Sequence, residues 1–137
     1  MKTHSTNYYD TFIAIADDCP VNSAEIPLIK GDKKTIANMQ FELISKHPYQ
    51  FTSDDILFSV FAERNQLIES EYETERKNFF SKGQACLRTS PLAKRYGWGI
   101  HHNSKGQVAL IGAETEAYQQ LSKDENLRLF KAMRSNK

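Results

Sequence analysis

The sequence lacks any run of about 18 apolar residues, the length a helical membrane span needs. Cysteine is scarce: Cys19 and Cys86 are the only two among 137 residues, with no C-x-x-C pair and no zinc-type spacing. The opening MKTHSTNYYD has no apolar segment of the kind a signal peptide carries. These absences predict a cytoplasmic chain with two free thiols and no membrane partner. No internal repeat, low-complexity tract or long linker interrupts residues 1–137, so a single globular domain is expected, long enough for one core. The most informative absence is of negative charge. Residues 76–113 hold seven Lys/Arg (Arg76, Lys77, Lys82, Arg88, Lys94, Arg95 and Lys105) and no Asp or Glu. Residues 1–75 hold six Lys/Arg against thirteen Asp/Glu, so a formal net charge of +1 conceals a segregated chain. Such asymmetry points to an anionic partner, or to acidic and basic segments that face each other once folded.

What is present reads as α+β. Residues 11–16, TFIAIA, are a strand, and residues 16–32 with two prolines and a glycine are an irregular loop. Ile36, Met39 and Leu43 beside Ala37, Phe41 and Ile44 give a broad apolar face to a helix over 34–46, ended by His47-Pro48. Thr52 and Asp55 have capping-box spacing before a helix that carries Ile56, Leu57, Val60 and Phe61 inward. A charged helix spans 69–82, with Tyr72, Phe79 and Phe80 as its apolar seam and Gly83 as its stop. Residues 98–102 and 107–112 form a hairpin across the four-residue loop 103–106. In that register Trp98, Ile100 and His102 share one face, opposite Ile111, Ala109 and Gln107. Two helices close the chain: one from Thr115 burying Tyr118 and Leu121, one with Ser122 and Glu125 at capping-box spacing burying Leu127, Phe130 and Met133. The expected fold is a small, mainly antiparallel sheet of strands near 11–16, 98–102 and 107–112, covered by about five helices, with 84–88 as a candidate fourth strand. The order excludes a doubly wound sheet.

The candidate site lies in GQACLRTSPLAKRYGWGIHH, residues 83–102. Ser90 suits an N-cap, Pro91 a first helical position and Gly97 a stop, which describes a helix of barely two turns. Its free N–H groups, with Arg88 and the Thr89 and Ser90 hydroxyls, compose an anion site to which Lys94 and Arg95 add charge. The helix dipole alone also accounts for Lys94 and Arg95. Cys86, Trp98, His101 and His102 are the possible neighbours of that site. His101 and His102 point to opposite faces of a strand and have no acidic neighbour, so no metal is expected. No motif calls for a cofactor. Seven cations spread over 38 residues, in a chain of near-neutral charge, are too sparse for nucleic acid at physiological salt.

TNYYDTFIAIADDCPV, FTSDDILFSVFAERN, FFSKGQACLRTSPLAKRYGWGIH and the terminal KAMRS together resemble a family of small bacterial proteins known only as a domain of unknown function. The resemblance covers nearly the whole chain. It implies a bacterial single-domain protein and brings neither an activity nor catalytic residues. The residues themselves favour a non-enzymatic binding module for an anionic small molecule or acidic protein. The alternatives are a small enzyme using His101 or His102 with Arg88 on a phosphorylated or carboxylated substrate, and a protein-interaction domain.

Overall fold

A computed structural model describes residues 3–29 and 31–135. Among them lie four strands, β1 (Thr11–Ala14), β2 (Trp98–His102), β3 (Val108–Gly112) and β4 (Arg128–Lys131). Five α-helices accompany them: α1 (Ile36–Lys46), α2 (Ser53–Arg64), α3 (Tyr72–Phe79), α4 (Pro91–Arg95) and α5 (Glu116–Ser122). The strands form one sheet in the order β3-β2-β1-β4, antiparallel except for the β1–β4 pair. The architecture is α+β, as the sequence predicts. No helix among the described residues is long and apolar enough to cross a membrane.

Directly paired residues point to the same face of a sheet, so the register sorts the side chains. One face carries Ile13, Ile100, His102, Val108, Leu110, Arg128 and Phe130; the other carries Phe12, His101, Ala109, Leu129 and Lys131. The first face meets α1, α2 and α4 in a core of Ile13, Ile44, Ile56, Leu87, Leu92, Ile100 and Val108. Each such aliphatic side chain, fully buried, contributes about 1.5–3 kcal/mol. On the second face α5 sets the Tyr118 ring edge-on to Phe12, 5.2 Å between centroids, and the Tyr118 hydroxyl accepts the Ile15 N–H at 2.9 Å.

Local capping chemistry acts where the sequence places it. Thr52 Oγ1 accepts the Asp55 N–H at 3.2 Å and the Asp55 carboxylate accepts the Thr52 N–H at 3.0 Å. The next residue, Asp54, does more. Its carboxylate accepts from the Ser5 hydroxyl and from both the N–H and hydroxyl of Thr6, at 2.7–2.8 Å, while its own N–H donates to Asn7 Oδ1 at 2.9 Å. This cluster straps the segment before β1 across the start of α2 and so positions Tyr8.

Four predicted details are overturned. The fourth strand is not 84–88, which runs into a 3-10 turn at Leu87–Thr89. It is Arg128–Lys131, where the Ser122/Glu125 spacing predicts a helix. Ser122 donates its hydroxyl back to the Tyr118 carbonyl at 2.8 Å and closes α5 instead of opening a new helix. Arg-Leu-Phe-Lys alternates with period two, and β1 has a free edge to accept it; Met133 is left exposed. The hairpin register is displaced by one residue, Ile100 facing Leu110 and Trp98 facing Gly112. Its cause is Gly106, which at φ +80° takes the left-handed conformation of a bulge, so residues 103–107 separate the strands. Asn103 locks the loop: its Oδ1 accepts the N–H groups of Lys105 and Gln107, both at 2.9 Å. Third, α1 buries Asn38 and Gln40 while Ile36 is exposed, so its inner face is partly polar. Asn38 is satisfied by donating to the Pro27 carbonyl at 3.0 Å. Finally, α3 stops at Phe79, four residues short of Gly83, and Tyr72 is exposed.

Candidate functional site

The short helix α4 forms as its cap signals predict, but it absorbs the groups assigned to a ligand. The buried Ser90 hydroxyl accepts the Leu92 N–H at 3.2 Å and donates to Gln40 Oε1 at 2.5 Å. Thr89 donates its hydroxyl to the Cys86 carbonyl at 2.8 Å. Lys94 is half-buried and Arg95 exposed on the same five-residue helix. Trp98 serves the fold: its indole N–H donates to the Glu25 carbonyl at 2.8 Å and its ring packs on Phe41.

Arg88 is directed elsewhere. Its Nε–H donates to the Lys131 carbonyl at 2.8 Å, and its own carbonyl accepts the Met133 N–H at 2.8 Å. This reciprocal pair fixes the 3-10 turn beside β4 and holds the guanidinium 5.3 Å from the centroid of the Phe130 ring. Arg128, two residues earlier on the same face of β4, places its guanidinium 5.2 Å from that centroid. Two positive charges thus share one aromatic ring, a favourable use of its negative face. Among the described residues neither arginine is ion-paired with a carboxylate; the bridges present are Lys34–Glu42, Arg76–Asp55 and Lys131–Asp17. With Nε of Arg88 committed, its two terminal nitrogens remain as a fork for a carboxylate or phosphate.

Tyr8 forms the inner wall. Its ring lies 5.5 Å from Phe130 and edge-on to His102 at 5.4 Å, and its hydroxyl is 3.1 Å from Cys86 Sγ. Burial and the contact with Cys86 push the Tyr8 phenol up to about 12, against the pull of Arg88 and Arg128, so it stays neutral at physiological pH. Cys86 and Cys19 are both half-buried and free.

The two histidines separate as adjacent strand residues must. His102 is fully buried on the core face, with no hydrogen-bond partner on either ring nitrogen. Burial lowers its pKa to about 4; the nearby backbone groups of Ile100 and Thr11 oppose this without bonding geometry at the ring nitrogens. His101 lies on the opposite face from Phe130 and from the guanidiniums stacked there. Its Nδ1 meets the Tyr49 hydroxyl at 2.8 Å, and burial lowers its pKa while Asp124 and Asp10 raise it. The sheet therefore divides His101 from Arg88, and the buried His102 ring packs against Tyr8. Among the described residues no group of three or more His, Cys, Asp or Glu is placed to hold a metal ion.

The structure thus keeps Arg88 and Cys86 of the basic stretch together and adds Arg128, Phe130 and Tyr8. The alternation of RLFK is the sequence signal that would have put Arg128 and Phe130 on one strand face. A protein-family model described as a family of unknown function, DUF6157, matches residues 3–137. Neither the curated proteins nor the solved structures contain a match.

Proposed function

We propose that this chain, which belongs to the DUF6157 family, is a non-enzymatic binding module whose ligand presents a carboxylate or phosphate to Arg88 and Arg128. One observation carries the reading: two guanidiniums on a single ring, with no carboxylate paired to either among the described residues. A bound anion supplies the opposite charge that neither guanidinium meets among the described residues. A binding role is favoured over catalysis because the residues that could move a proton are set aside. His102 is buried and neutral, His101 is across the sheet, and the Tyr8 phenol is held protonated. The free thiols suit a reducing, cytoplasmic setting.

Thermal melts test this in sodium phosphate against a chloride series of matched ionic strength, which removes general screening. Phosphate raises the melting temperature of the parent more than chloride does, because a ligand of the native state stabilises it. Arg128→Ala abolishes that excess, and Arg88→Lys reduces it because an ammonium cannot reproduce the fork. An equal phosphate response in parent and Arg128→Ala refutes the site.

A further inference from the structure

The sheet has two unlike edges. The outer edge of β3 is closed by the chain itself at its first residue: Val108 donates its N–H to the Phe51 carbonyl and accepts the Tyr49 N–H, both at 2.9 Å, and Thr52 bridges to Gln107. β4 is the terminal strand on the other side, with no strand beyond it among the described residues. Arg128 and Ala132 donate their N–H groups to Asp10 and Ala14, towards β1. Alternation therefore turns the backbone groups of Leu129 and Lys131 outward. Arg88 Nε takes the Lys131 carbonyl. The N–H and carbonyl of Leu129 and the N–H of Lys131 remain as an open edge, the kind of template that accepts an added strand.

We infer that the anionic group arrives on an extended segment of a partner protein that adds to the open edge of β4, its acidic and apolar side chains alternating. This rests on the anion-binding reading of Arg88 and Arg128. The two faces beside the edge differ, and they set the alternation. On one face an added strand meets the two guanidiniums around Phe130. On the other it meets Leu129, which is 50% exposed, at a cleft of about 300 Å³ lined by Phe12, Ala14, Ser122, Leu129, Phe130 and Lys131. Lys131 borders that cleft, but its ammonium is held by Asp17 at 2.8 Å, which leaves the apolar surface as the distinctive feature of this side. Successive residues of an added strand point to opposite faces, so one alternate set carries carboxylates and the other aliphatic groups.

Charge selects the partner over a second copy of this chain. Antiparallel self-pairing centred on Leu129 would set Arg128 against Phe130 of the copy, on one face, and bring the two arginine pairs together. Like charges gathered on one face disfavour that pairing. An acidic strand brings the opposite charge to the same guanidiniums.

The test uses the full ¹⁵N-labelled chain and nine-residue peptides of Glu and Leu. One peptide alternates the two residues, one places them in separate blocks, and two are alternating peptides N-methylated on one or the other alternate set of amides. Sodium phosphate alone is the fifth titrant. The alternating peptide shifts the Leu129 and Lys131 amides and binds at least about tenfold more tightly than the blocked one. Methylating one alternate set of amides weakens binding by at least about tenfold, and methylating the other set does not. Arg88→Ala and Arg128→Ala each weaken the alternating peptide. If both methylated peptides bind like the parent peptide while phosphate still binds at the arginines, the edge inference is overturned and the anion reading stands. If neither phosphate nor any peptide responds to the arginine substitutions, both fall. No protein variant is needed for the methylation arm, so a folding defect cannot obscure it.

Discussion

Replacing His102 by leucine isolates the cost of burying an imidazole without partners. The ring is fully buried, neither nitrogen is bonded, and its pKa is lowered from 6.5 to about 4. Above pH 6.5 the side chain is neutral in folded and unfolded chains alike, so titration adds nothing. Below 6.5 the unfolded chain takes up the proton and the folded chain does not, and stability falls as pH falls. The slope is about 1.4 kcal/mol per pH unit until the folded pKa is reached, for a total of about 3 kcal/mol. Leucine removes this dependence and leaves His4, His47 and His101 in both proteins. The assay is urea denaturation of parent and His102→Leu at half-unit intervals from pH 7 to 4. The difference in unfolding free energy is expected to move by about 3 kcal/mol in favour of the variant as pH falls. At pH 7 the variant is expected to be no less stable, since leucine leaves no buried polar atom unpaired. A difference that stays flat from pH 7 to 4 refutes the reasoning, for it would mean that the folded chain protonates His102 as readily as the unfolded one.

Two further substitutions probe the fold that carries the site. Ser90→Ala removes both the cap of α4 and the donor to Gln40 Oε1, with an expected cost of about 1–3 kcal/mol in a denaturant melt. A cost near zero would mean that Gln40 repartners freely. Gly99→Ala puts a Cβ at 2.5 Å from the Phe12 ring and 2.8 Å from Tyr118, and overpacking of this kind costs about 1–3 kcal/mol. Near-UV circular dichroism should report the displaced aromatic pair, and an unchanged spectrum with unchanged stability would contradict the close packing of α5 on β1.

Features that depend on neighbours in the chain were legible in the sequence. Thr52 with Asp55, and Ser90 before Pro91, each form the cap that their spacing predicts, and a helix starts at Thr115 as expected. β1 and both hairpin strands lie where runs of Ile, Val and aromatic residues place them. What depends on distant partners was not legible. Gln40 is polar on a helical inner face because Ser90, fifty positions on, requires an acceptor there. Residues 128–131 are a strand because β1 offers an edge, whereas Ser122 and Glu125 locally imitate a helix start. The hairpin register turned on one bulge residue, Gly106, and a one-residue slip exchanges every side chain between faces. The site follows the same division. Arg88 stood out in a stretch without carboxylates, but its partners Arg128 and Tyr8 come from opposite ends of the chain.

The most direct test of the anion site is to observe the arginine side chains themselves. In ¹H–¹⁵N spectra of the Nε–H groups, sodium phosphate is titrated against sodium chloride at constant ionic strength. The account predicts that the Arg88 and Arg128 signals shift together and saturate along one binding curve, while Arg95, on the far end of α4, follows the chloride control. A small unsaturating drift shared by all arginine signals would contradict it, and would leave the two guanidiniums around Phe130 as a structural clamp on β4.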